Sequence, residues 1–195
     1  FQLLNFKKSN FLKKDKIVLI FFLALATMKF SHGINNPMRL HASILEQKNK
    51  IEVMPFTNQF FVDNEVYKLT TSLREIFKKN GWQSGNYLMD FTGRFPGTNI
   101  LLNAKYLSRP WWLGGYVGSN DYAKAFLQKT DKQKIKDSWI IVGEWLPIES
   151  TDRYGISDSV LKESGINLDT QYTRVGEHTF TTKIHSVKFI IFKPN

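Results

Sequence analysis

Four hydrophobic patterns divide the chain. Residues 17–28 (IVLIFFLALATM) are apolar almost without interruption, and Val66, Leu69, Leu73, Ile76 and Phe77 recur every three or four positions. Trp139-Ile140-Ile141-Val142-Gly143 is a short continuous apolar run, and near the end Val187, Phe189 and Ile191 alternate with Lys188, Ile190 and Phe192. The three-to-four spacing predicts a helix over 64–79, opened by Asp63 or Asn64 and closed by Asn80-Gly81, with Lys78 and Lys79 against its negative end. The continuous run predicts a strand buried on both faces. Segments 171–176 and 185–192 predict two late, hairpin-like strands.

Shorter signals fill the gaps. Residues 38–50 read as a short amphipathic helix with Leu40, Ile44 and Leu45 on one side. Tyr87 to Phe91 reads as a short strand, followed by a helix over 98–105 with Pro96 near its first turn. Ser119 is a cap for a helix over 120–129, and Ser157 caps another that ends at Gly165. Helices alternating with buried strands, then paired strands, predict an α/β fold: a mixed-sheet sandwich with flanking helices. There is no internal repeat and no low-complexity linker.

The first run needs a separate argument. Its twelve residues rise about 18 Å as a helix, short of the roughly 30 Å hydrocarbon core. Continued to Ile34, with Lys29 snorkelling outward, it becomes a transmembrane helix over 17–34. The other reading is a signal peptide: Lys7, Lys8, Lys13, Lys14 and Lys16 form a basic lead, and Ala24-Leu25-Ala26 resembles a cleavage site. The chain opens on Phe1, so an internal span of a longer protein is the expectation. On either reading the lysines place residues 1–16 in the cytoplasm and residues 35–195 outside it as the α/β domain. In bacterial terms that is an inner-membrane protein with a periplasmic globular part.

Composition narrows the function. The chain has 195 residues and no Cys, which excludes disulfides, thiol nucleophiles and cysteine-ligated metals. The net charge is +10, half of it in residues 1–36, where six Lys face Asp15 alone. The remainder is mildly basic, so nucleic acid is not an expected partner. Four histidines, at 32, 41, 178 and 185, match no zinc spacing. No metal or cofactor is expected.

Candidate chemistry concentrates in residues 90–121. The order strand, glycine-bearing turn, helix start suits anion binding, with Gly97 allowing close approach and Arg94 a bidentate contact. No P-loop or dinucleotide motif is present, and Gly93, Pro96 and Gly97 could equally do no more than shape a turn. Trp111, Trp112 and Tyr116 beside Gly114-Gly115 could stack on a sugar or pack in the core. Asp90, Thr92, Arg94, Gly97, Trp111, Trp112 and Tyr116 are therefore the candidate ligand-binding residues, on one concave surface at one sheet edge. Asp90 and Glu144, each near the end of a buried strand, are a candidate acid–base pair for a glycosidic bond if suitably spaced.

Three stretches carry a family resemblance: Lys29 to Arg39 (KFSHGINNPMR), Asp90 to Gly97 (DFTGRFPG) and Trp112 to Ser119 (WLGGYVGS). Together they resemble the C-terminal end of large bacterial multi-spanning inner-membrane proteins related to GT-C-type glycosyltransferases. The resemblance implies a last membrane helix leading into an extracytoplasmic α/β domain. It also implies sugar transfer from a polyprenyl-phosphate donor, with the bilayer, that lipid-linked sugar and the rest of a longer polytopic chain as partners. The catalytic acid of such enzymes usually belongs to an early extracytoplasmic loop, so no catalytic residue is carried over to this chain. Two other readings stay open: an independent exported, membrane-anchored binding or structural protein, and a secreted carbohydrate hydrolase using Asp90 and Glu144.

Overall fold

The computed structural model describes residues 13–37, 42–53, 59–93, 95, 97–107, 113–114, 117–146, 156–183 and 186–195. Two units, Phe1–Glu46 and Gln47–Asn195, are each compact on their own terms. The first is dominated by helix α1, Lys13–Asn35, which runs unbroken through Lys29. Its 23 residues rise roughly 35 Å, enough to cross a hydrocarbon core. Side chains from Lys16 to Gly33 are exposed on every face, so no protein core accounts for their apolar character. Thr27 turns its hydroxyl back onto the Leu23 carbonyl at 2.8 Å, which satisfies it without water. This is the one helix among the described residues that is long and apolar enough to span a membrane.

The helix expected over 38–50 is not formed in its described part. Ile44–Glu46 make a single 3₁₀ turn, because Ser43 Oγ accepts from Leu45 N at 3.2 Å and Glu46 Oε2 accepts from Ser43 N at 3.2 Å. These side chains take up the backbone donors that a longer helix would have used. Asn49–Glu52 instead form strand β1, paired antiparallel with β2, Gln59–Val62. The alternation of Lys50 and Glu52 with Asn49 and Ile51 has period two, and it prevails.

Helix α2, Asn64–Lys79, follows its pattern closely. Asp63 accepts from Val66 N at 2.8 Å, and Leu69, Leu73 and Phe77 are buried. Strand β3 (Tyr87–Asp90) leads to helix α3 (Gly97–Leu102) and then to strand β4 (Lys105–Tyr106), a two-residue element the hydrophobic pattern did not reveal. Helices α4 (Ser119–Lys129) and α5 (Lys132–Lys136) lead to strand β5 (Trp139–Leu146). Ser119 opens α4 from inside the helix, and left-handed Gly118 takes the cap position. Helices α6 (Asp158–Glu163), capped by Ser157, and α7 (Leu168–Gln171) precede strands β6 (Tyr172–Thr181) and β7 (Ser186–Pro194).

The five-stranded sheet has order β4-β3-β5-β7-β6, with β4, β3 and β5 mutually parallel and β7 antiparallel to both of its neighbours. It is the mixed α/β architecture that the pattern predicted. Alternation sends Leu88, Trp139, Ile141, Phe189 and Ile191 toward α2 and α3. Met89, Ile140, Val142, Ile190 and Phe192 go to the opposite face, with α4, α5 and α6. Phe77, Trp82 and Trp139 cluster at centroid separations of 4.9 to 5.5 Å, and Trp82 Nε1 donates to the Leu102 carbonyl at 3.0 Å, joining α2 to α3. On the other face the Tyr172 hydroxyl donates to the Ile135 carbonyl at 2.9 Å and ties α5 to β6.

One close approach sets how α2 lies on the sheet. A Cβ on Gly176, beside the bulge between Arg174 and Gly176, would stand 2.7 Å from Ile76 Cγ2. Gly176→Ala is expected to cost about 1–3 kcal/mol in urea unfolding. Because the clash is with Ile76 itself, the pair Gly176→Ala with Ile76→Ala should cost less than the sum of the two single changes. Additive losses would show that α2 does not rest on this glycine.

Candidate functional site

The sheet has a switch point. The connection leaving β3 passes through α3 on one face, while the connection leaving β4 passes through α4 and α5 on the other. The two chains part at the carboxyl ends of adjacent parallel strands, and open α/β sheets bind ligands in the crevice such a parting creates. Asp90 ends β3 and Tyr106 ends β4, so both stand at that edge.

Asp90 is 4% exposed and carries a dense set of bonds. One carboxylate oxygen accepts from Thr92 N at 2.8 Å and from Thr92 Oγ1. The other accepts from Thr98 Oγ1, whose hydroxyl also reaches the Phe95 carbonyl at 2.9 Å. Burial pushes the carboxyl up from its ordinary value, and the bonds from Thr92 and Thr98 pull it back without cancelling the shift. Phe95 anchors the same loop from below, its ring 4.7 Å from that of Phe189. Left-handed Gly93, at φ 66°, makes the turn between them. The loop from Asp90 to Thr98 is thus stapled at both ends.

Two groups at this edge have capacity left. Asn99, 7% exposed on α3, has a side-chain amide with no hydrogen-bond partner at either atom. It lies beside the Tyr106 hydroxyl, close enough to favour the phenolate, though no bond of good geometry forms between them. Burial first, and the nearby Asp90 charge second, push the Tyr106 phenol well up, so it stays a neutral donor at any physiological pH. A buried amide without partners is costly.

The sequence-predicted residues divide unevenly. Asp90 and Thr92 meet at the switch point. Gly97 opens α3, exposed, with open space where a Cβ would stand, so the turn geometry rests on Gly93 and not on Gly97. Arg94, Trp111, Trp112 and Tyr116 lie outside the described residues. Glu144 is bonded to Lys188 Nζ at 3.0 Å. It shares parity with Ile140 and Val142, whereas Asp90 shares parity with Leu88, so the two carboxylates face opposite sides of the sheet. Thr98, Asn99 and Tyr106 escaped the sequence reading. Only the unrecognised β4 could have pointed to Tyr106, and two residues carry no periodicity.

Among the described residues no cluster of three His, Asp or Glu could hold a metal ion. A concavity of about 250 Å³ away from this edge is lined by Glu52, Arg74, Trp82, Ser84, Leu102 and Asn103. There Arg74 is engaged by the Glu52 carbonyl and Asn103 by Ser84, which leaves little for a ligand to pair with. Comparison of the chain with protein-family models, curated proteins and solved structures finds no match.

The raised Asp90 pKa has a definite sign for stability. The folded chain holds this proton to higher pH than the unfolded chain, so in that window the native state binds more protons. Asp90 therefore costs nothing below the ordinary value of 3.8, and its contribution worsens as pH rises through its raised folded value. Asp90→Asn should flatten that fall, read as the difference in urea midpoints between about pH 4 and pH 8. Asp90→Leu, by contrast, orphans the Thr92 N–H and should lose about 1–3 kcal/mol at any pH. An unchanged slope in Asp90→Asn would assign the pH dependence to other groups.

Proposed function

We propose that this chain is a membrane-tethered α/β binding module, the accessory extracytoplasmic domain of a glycosyltransferase-like membrane protein that handles polyprenyl-phosphate-linked sugars. The observation that carries the reading is the pairing of a fully exposed apolar helix with a buried polar cluster at a sheet switch point. A lipid-linked sugar has the matching two halves, one that partitions into a bilayer and one rich in hydroxyl and amide groups. The lysines before α1 and in its first turn favour a cytoplasmic start and an extracytoplasmic domain.

The described part of the cluster suits a neutral sugar better than its phosphate. Asn99 and Tyr106 offer an amide and a phenol, and Asp90 would repel an anion whenever it is ionised. Any charge reading falls to Arg94, whose guanidinium suits a bidentate phosphate contact. We assign recognition and not bond cleavage to these groups. Both oxygens of Asp90 are committed to threonines, and Glu144 is paired on the other face.

The test uses the full chain in lipid nanodiscs and three short-chain probes: a prenyl-phosphate sugar, a neutral prenyl glycoside and a prenyl phosphate without sugar. Asn99→Ala should weaken both sugar-bearing probes by roughly fivefold, about one lost hydrogen bond, and leave the sugarless probe unchanged. Arg94→Ala should weaken the phosphorylated sugar more than the neutral glycoside. Binding of all three no better than to empty discs would overturn the reading. Since the chain has no Cys, Lys162→Cys supplies one thiol for an impermeant maleimide, and labelling of intact cells reads the domain's side of the membrane.

A further inference from the structure

The edge of the sheet away from the switch point is a lysine surface. It forms where α2 ends, where β3, β4 and β5 begin and where β7 finishes, all within the α/β unit. Register brings these ends together: Tyr87 stands opposite Lys105, Leu88 opposite Trp139 and Ile140 opposite Phe192. Lys78 and Lys79 close α2, Lys134 and Lys136 close α5, Lys105 opens β4 and Lys193 lies near the end of β7. The Lys105 and Lys134 ammonium groups, from different elements, stand 5.8 and 6.0 Å from the centre of the Tyr87 ring. Lys193 Nζ lies 3.7 Å from where a Cβ on Gly81 would stand, two residues past Lys79. Little negative charge answers these six lysines. Segments 78–87, 103–105, 132–138 and 192–195 hold one carboxylate side chain, Asp137, which accepts from Gln133 Nε2 at 2.8 Å. Lys132, the seventh lysine there, is spent on the Leu127 and Ser164 carbonyls. Among the described residues none of the six is paired with a carboxylate, and all but Lys193 are fully exposed. Glu75 and Asp131, a turn further back, still leave this end net positive.

We propose that this edge binds a linear polyanion, held by the density of charge along its chain. All six cations are lysines, point charges without the planar fork that reads one carboxylate or phosphate. From β4 to β7 they span three strand spacings, about 14 Å, more than a single anionic group can bridge. Like charges gathered without partners repel one another in the free protein, and a multivalent anion relieves that while releasing its own counterions. The Tyr87 ring already faces two ammonium groups, so it is no open platform for stacking a base, which sets nucleic acid aside.

The cysteine-free sequence lets Gln83→Cys place one fluorophore on this edge, and Thr179→Cys one at the far end of β6 as a control. The full chain, in nanodiscs of neutral phosphatidylcholine, is titrated with inorganic polyphosphate, a ring-free polyanion, at about 50 mM salt. The label at 83 should respond and the label at 179 should not. Lys105→Gln with Lys134→Gln should weaken binding roughly tenfold. The same pair should make the fall of log affinity with log salt shallower by about 1–1.5. Lys105→Arg with Lys134→Arg should retain binding. Should the first pair disturb the sheet, Lys78→Gln with Lys79→Gln removes two exposed cations from the last turn of α2 and should weaken binding as well. Lys48→Gln with Lys50→Gln, an equal loss of charge on the hairpin that leads into α2, should change little. Equal weakening by that hairpin pair would reduce the effect to net charge and overturn the site. Saturation by inorganic phosphate at the same total phosphate would replace the polymer with a single anion. Tighter binding of oligothymidylate of matched charge would put base stacking, and nucleic acid, in the polyanion's place. A silent label at 83 would remove the proposal.

Discussion

The arrangement of the α/β unit depends on one constraint: β5 is apolar on both sides. Trp139 and Ile141 must be covered on one face, Ile140 and Val142 on the other, and all four are buried. A sheet with such a central strand has to carry helices in two layers. Strand β3 runs parallel to both β4 and β5, so each connection must cross a face, and the two successive crossings use opposite faces. The parting of the chain between β3 and β4 follows from that requirement. The candidate site at the ends of these strands is thus a by-product of burying two apolar faces with one short chain.

Asp90 shows how that edge is held. A carboxyl removed from water is expensive, and here the expense is offset by donors from Thr92 and Thr98 placed on both of its oxygens. The same bonds fix the loop that leaves β3, and Phe95 fixes it again through contacts with Phe180 and Phe189. The neighbouring amide of Asn99 is left without partners in a layer where almost every other buried polar group is bonded. Asp90 is thus saturated with donors, and the Asn99 amide is not.

The two units differ in where their apolar side chains are placed. In α1 every described residue from Lys16 to Gly33 is exposed, and the helix is long and apolar enough to span a membrane. In the α/β unit the apolar side chains are sorted into two buried clusters. Exposed apolar side chains that break this sorting include Phe60 and Phe61 in the hairpin and Tyr67, Ile100 and Val117 elsewhere in the unit.

Periodicity alone determined the elements whose burial is dictated by their own residues. Helix α2 has its cap at Asp63 and its apolar positions at three-to-four spacing, and it runs over 64–79 as the pattern predicts. The buried strand at 139, the late antiparallel pair and the long apolar helix are legible for the same reason. Tertiary structure decided the rest. Two-residue β4 exists because β3 offers it a ladder, and Tyr106 reaches the site only through that pairing. Strand parity, fixed by register and not by composition, turned Asp90 and Glu144 to opposite faces. Residues 49–52 became a strand because a partner at 59–62 was available, through contacts seven to thirteen residues apart that the helical spacing does not register. Local spacing records which side of an element is apolar; only pairing between distant segments decides what that side meets.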